Sequence, residues 1–146
     1  MRTSRFRIIF PLLLSFLLLF VASTGFAQAR AQIQVDVIVA SNNGEGVDPA
    51  LRAEAQRLTS QFSNFSSFKL AKTERVTLAQ GVTNAVSLPG SSVARFTLQG
   101  FQNDRYQIQI AVPGGQTTFD ARKGGMIFVG GPRAPNGTLI LLIRVK

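Results

Sequence analysis

The chain contains no cysteine, no histidine and no tryptophan, and it has a single tyrosine. Without histidine and cysteine, Ser-His-Asp and Cys-His nucleophilic machinery cannot be assembled in their usual forms. Zinc sites draw chiefly on the same two residues, and haem and iron–sulfur centres on cysteine, histidine and methionine, so no cofactor is expected. The absence of cysteine also rules out a disulfide-built scaffold and a lipid anchor of the lipoprotein kind. It does not speak against an oxidising compartment, because a domain of this length can bury an adequate core without staples.

Acidic residues are scarce as well: 7 Asp and Glu stand against 16 Lys and Arg in 146 residues, a net charge of +9. The acids are Asp36, Glu45, Asp48, Glu54, Glu74, Asp104 and Asp120. Hydrolysis of a glycan needs two carboxyls facing each other across a cleft. Asp36 and Asp120 can meet only if their strands are neighbours, and the expectation is that each is solvated or salt-bridged. The loop Ser41–Asp48, SNNGEGVD, carries a Gly44-Glu45-Gly46 triplet but no third glycine, and Glu45 repels phosphate. Its oxygens, on Asn42, Asn43, Glu45 and Asp48, do not follow calcium-loop spacing either, so an ordinary turn and helix cap is expected.

The first 29 residues are of a different kind. Arg2, Arg5 and Arg7 give a positive opening, Ile8 to Ala22 carries no charge, and Ala27-Gln28-Ala29 offers a small-x-small cleavage site. This order is that of a secretory signal peptide. The apolar stretch is shorter than the roughly 20 residues a spanning helix needs, and it holds Pro11. The expected division is a signal peptide over residues 1–29 and one small β-rich domain over 30–146, with no transmembrane span after cleavage and a periplasmic or extracellular location. Ala29-Arg30-Ala31 fits as a second cleavage site. Removing the three arginines of the signal leaves 13 basic against 7 acidic residues, a net charge of +6.

Within the domain, Ile33, Val35, Val37 and Val39 alternate with Gln34, Asp36 and Ile38, which is strand periodicity. Asp48-Pro49 opens a helix to about Phe62, with Leu51, Ala55, Leu58 and Phe62 on one stripe. Strands follow: Phe68, Leu70, Val76 and Leu78 share one parity, then come Val82, Val86 and Leu88. Phe62 and Phe65 are expected to pack at the helix end, with Phe68 starting the next core face. Val93 to Leu98 and Tyr106 to Val112 alternate around the turn Gln102-Asn103-Asp104 and form a hairpin with one wet face. Thr117–Ala121 and Met126–Val129 are expected to make a second hairpin around Lys123-Gly124-Gly125, and Gly130–Gly137 a longer turn. Leu139–Ile143 is apolar on both parities, as for a strand covered on both faces. The fold class is therefore α+β: a mostly antiparallel sheet of about six to eight strands with one helix packed on a face.

The positive balance points to an anionic partner such as lipopolysaccharide or a membrane surface. The basic residues are scattered, however, and no aromatic-interleaved nucleic-acid motif appears. The favoured surface is the wet face of the hairpin, where Arg95, Thr97, Arg105, Gln107 and Gln109 share the polar parity. The expected function is an exported envelope or secreted module, non-catalytic, that binds an envelope protein or an anionic surface polymer. The alternative is a small carboxylate-dependent enzyme acting on an envelope glycan.

Overall fold

A computed structural model of the chain describes residues 28–146. The segment read as a signal peptide lies outside the described residues except for Gln28 and Ala29. Eight strands form in order: β1 Arg30–Ser41, β2 Ser67–Ala79, β3 Thr83–Leu88, β4 Ser92–Gln102, β5 Arg105–Val112, β6 Gly115–Ala121, β7 Met126–Ala134 and β8 Gly137–Val145. They divide into two four-stranded antiparallel sheets, sheet A in the order β2-β1-β8-β7 and sheet B in the order β3-β4-β5-β6. Between β1 and β2 lie a 3-10 helix, Pro49–Glu54, and α1, Ala55–Gln61. The fold is α+β, with antiparallel sheet dominant and little helix. No helix among the described residues is long and apolar enough to cross a membrane.

The inner faces of the two sheets meet in one core. Sheet A contributes Ile33, Val35 and Val37 from β1 and Leu139, Leu141, Ile143 and Val145 from β8; sheet B contributes Val86, Phe96, Leu98, Ile108 and Ile110. Each such side chain withdrawn from water contributes about 1.5–3 kcal/mol. A second core lies on the opposite face of sheet A, where Leu51 and Leu58 pack on Ile38, Ala40, Phe68, Ile140 and Leu142. This explains why Leu139–Ile143 is apolar on both parities: β8 is central in its sheet and buried on both faces.

The helical segment differs from a single α-helix. Its first six residues are 3-10 and only the next seven are α. Asp48 caps it as expected, its Oδ1 accepting from the Ala50 amide at 3.0 Å. Its Oδ2 accepts from the Leu70 amide at 3.2 Å and ties the cap to β2. Phe62 closes the stripe edge-on against Phe128, 6.1 Å between centroids, Phe65 packs beside them, and Phe68 is fully buried.

Three expectations need correction. Phe68 and Leu70 share numerical parity with Val76 and Leu78 but face the opposite way. The β1–β2 register steps from Val37↔Lys72 to Ile38↔Leu70, leaving Ala71 as a bulge that turns the strand over. Phe68 and Leu70 thus meet the helix, while Val76 and Leu78 meet sheet B. Second, β6 and β7 are not a hairpin: β6 pairs with β5 and β7 with β8. Arg122–Gly125 is a crossover between sheets, held where the Gly124 amide donates to the Val145 carbonyl at 2.7 Å and the Val145 amide to that of Gly125 at 2.9 Å. Third, the stretch from Gly130 is not a long turn, because β7 continues to Ala134 through a bulge between Gly130 and Arg133. The reversal is the pair Pro135-Asn136, followed by Gly137, where a Cβ would strike the Ala40 carbonyl. Val82 precedes β3 and is exposed.

Candidate functional site

Sheet A is covered on its outer face by the helical segment. Sheet B has an outer face over which no described element packs. The β4–β5 turn is Asn103-Asp104, both with positive φ (53° and 61°), the combination that a two-residue type I′ hairpin requires. It sets Gln102 opposite Arg105, Gly100 opposite Gln107, Thr97 opposite Gln109 and Arg95 opposite Ala111. Arg95, Thr97, Arg105, Gln107 and Gln109 therefore share the outer face, while Phe96, Leu98, Tyr106, Ile108 and Ile110 fill the core behind them.

The neighbouring strands extend the array. One rank runs Thr83, Thr97, Gln109, Thr118 across β3, β4, β5 and β6; the next runs Gly100, Gln107, Asp120. Thr83 and Thr97 share a hydrogen bond between hydroxyls at 2.8 Å, and Gln99 Nε2 donates to Gln109 Oε1 at 3.3 Å. Gln99 stands at a bulge, where the register steps from Leu98 to Gly100. Beside it is a shallow depression of about 450 Å³, bordered by Gln80, Gln99, Arg105, Gln107 and Asp120.

The five residues share a face, but the two arginines do not form a cluster. From Ala111, opposite Arg95, to Arg105 is six residues along β5, or about 20 Å at strand rise. The centre between them is uncharged threonine and glutamine. Asp120 lies opposite Gln107, close to the Arg105 end. Neither arginine makes a salt bridge among the described residues. Asp120 joins this surface because β6 pairs with β5; a β6–β7 hairpin, which the sequence suggests, would set it elsewhere.

No family model, curated protein or solved structure matches this chain.

The other candidates are placed as follows. Asp36 and Asp120 do not meet: Asp36 lies on the helix-covered face of sheet A and Asp120 on the outer face of sheet B. Asp36 is buried and accepts from Thr73 Oγ1 at 2.8 Å and from Gln34 Nε2 at 3.1 Å. Its Oδ2 lies 3.6 Å from an Arg144 guanidinium nitrogen, and the other end of that guanidinium pairs with Glu54. Two carboxylates thus flank one arginine beneath the helix. Nothing in the sequence signals the pairing of Glu54 with Arg144, because Glu54 lies off the apolar stripe and its partner stands in the last strand. In the Ser41–Asp48 loop, Asn42 Oδ1 accepts from the Ser66 amide at 2.9 Å and Asn43 Oδ1 from that of Glu45 at 3.1 Å. No group of three potential metal-ligating side chains occurs among the described residues. The loop borders an open groove of about 830 Å³ with Lys69, Pro89 and Asn136.

Proposed function

We propose that this protein is an exported, non-catalytic binding module whose outer face of sheet B holds an anionic surface polymer of the cell envelope. The observation that carries the reading is the continuous polar array on that face, which nothing in the described chain covers, with an arginine at each end. Side chains on a sheet face hydrogen-bonded to one another lose less freedom on binding than those on a loop. Thr97 and Gln109 are already half-buried within the array. Two guanidiniums about 20 Å apart suit an extended chain with repeated anionic groups better than a compact ligand. The uncharged amides and hydroxyls between them suit the hydroxyl-rich units of a polysaccharide. The signal-peptide pattern of residues 1–29 and the net charge of +6 remaining after it support a reading in which the protein works among anionic envelope polymers.

The test is capture of the purified protein by lipopolysaccharide and by anionic envelope glycans, with and without Arg95→Glu together with Arg105→Glu. Reversing two surface charges is expected to weaken binding about tenfold and to flatten its salt dependence. Undiminished binding by the double variant refutes the assignment, and capture of an envelope protein with no polymer binding replaces the partner class.

A further inference from the structure

Every open sheet must do something with its edges, because an edge strand presents unpaired backbone amides and carbonyls to any passing strand. Three of the four edges here are blunted. β2 carries the Ala71 bulge and a run of charged residues, Lys69, Lys72, Glu74 and Arg75. β3 is six residues long, and the Ser87 carbonyl on it is taken by Lys72 Nζ at 2.9 Å. β7 is interrupted by the bulge between Gly130 and Arg133, with Pro132 inside it. β6 has none of these devices. Its sequence GQTTFDA contains no proline and no lysine, its pairing with β5 runs unbroken from Val112↔Gly115 to Tyr106↔Ala121, and five of its seven residues are exposed.

We propose that β6 is a self-association edge, pairing antiparallel with β6 of a second copy about a two-fold axis at Thr118. The turn Pro113-Gly114 is a two-residue connection, so Val112 and Gly115 form its hydrogen-bonded closing pair. Alternation from there aims the backbone groups of Thr117 and Phe119 at β5 and those of Gln116, Thr118 and Asp120 away from it. Centring the pair on Thr118 overlaps all seven residues and sets outward groups against outward groups, giving about six new backbone hydrogen bonds.

The side chains agree with that register. Thr118 faces Thr118 of the partner subunit, a favourable cross-strand pair. Gln116 and Asp120 face each other twice, an amide donor against a carboxylate. Centring on Asp120 instead sets two carboxylates opposite, which is destabilising, and centring on Gln116 leaves most of the strand unpaired. On the inner face Phe119, partly buried against the core, gains cover from Thr117 of the partner subunit. The dimer joins the two B sheets into one of eight strands. This inference rests on the edge alone and stands whether or not the outer face binds a polymer.

The absence of cysteine makes a direct test available. In a hydrogen-bonded antiparallel pair the Cα atoms are about 5.5 Å apart, within the range a disulfide spans. Thr118→Cys, expressed as the full chain and purified after export, is expected to form a disulfide-linked dimer on mild oxidation, and Thr117→Cys is not. Thr118→Lys, which sets two ammonium groups face to face, is expected to raise the dimer dissociation constant at least tenfold by analytical ultracentrifugation, with an unchanged circular dichroism spectrum. The inference is overturned if the original protein sediments as a monomer at every soluble concentration. It is equally overturned if a dimer survives Thr118→Lys unweakened, or if Thr117→Cys cross-links as readily as Thr118→Cys.

Discussion

Removal of the Arg144 guanidinium is the perturbation that most sharply tests how the helical segment is held to sheet A. The Asp36 side chain is only 6% exposed, and that of Arg144 is 24% exposed. In Arg144→Met the unbranched apolar stem remains, but Asp36 keeps only the neutral donors Thr73 and Gln34, and Glu54 loses its partner. Breaking a buried ion pair from one side costs about 3–5 kcal/mol, because the remaining charge stays desolvated. Arg144 is partly open to water, which places the expected loss at the low end, about 3 kcal/mol. For a domain of this size that corresponds to a melting temperature lower by about 10 °C. Asp36→Asn removes the stranded charge while retaining an acceptor for Thr73. The double variant Arg144→Met with Asp36→Asn is therefore expected to be more stable than Arg144→Met alone by about 1–2 kcal/mol. Urea denaturation followed by circular dichroism, on the original, both singles and the double, measures the cycle. If the two single losses simply add, or if Arg144→Met lies within about 0.5 kcal/mol of the original, the ion pairs are not what secures the helical segment.

Leu58 is fully buried between α1 and sheet A, and Leu58→Ala is expected to cost about 2–5 kcal/mol; a thermal melt unchanged within error would show that the stripe is not core. On the proposed export reading, cleavage is expected to leave Arg30 and not Gln32 as the first residue. Ala31 is buried and pairs with Leu78 in the core, so cleavage after it removes a core residue. N-terminal sequencing decides, and an intact Met1 on membrane-extracted protein would show that the segment is an anchor.

Much of the sheet structure was legible because strand periodicity reports which face a side chain takes. Alternation from Phe96 to Leu98 and from Tyr106 to Ile110 was enough to put Arg95, Thr97, Arg105, Gln107 and Gln109 on one side, and Asn103-Asp104 marked the turn. What alternation does not carry is where it breaks. Phe68, Leu70, Val76 and Leu78 look continuous in number, and only the pairing with β1 reveals that Ala71 reverses the strand. The same limit hid the separation of the sheets. Lys123-Gly124-Gly125 has the local chemistry of a hairpin turn, and a crossover uses the same residues; the difference lies in the distant partners β5 and β8. The ion pair of Glu54 is hidden for a related reason, since its partner Arg144 is 90 residues away in sequence.

The placement of β8 has a kinetic side. The strands of sheet B are consecutive, β3 to β6, so their contacts close short loops. Ile33 pairs with Val145, and the Lys146 amide donates to the Gln32 carbonyl at 2.8 Å. Closing a loop of that span costs roughly 2 kcal/mol more entropy than closing a ten-residue hairpin. Such non-local contacts slow folding. A chain that stops at Asn136, and so lacks β8 (Gly137–Val145), is left with β1 and β7 as bare edges on either side of a gap, and with both cores open. The domain is thus committed at its C-terminal end. Until that strand arrives, the meander of sheet B can form but has only half a sandwich to close upon.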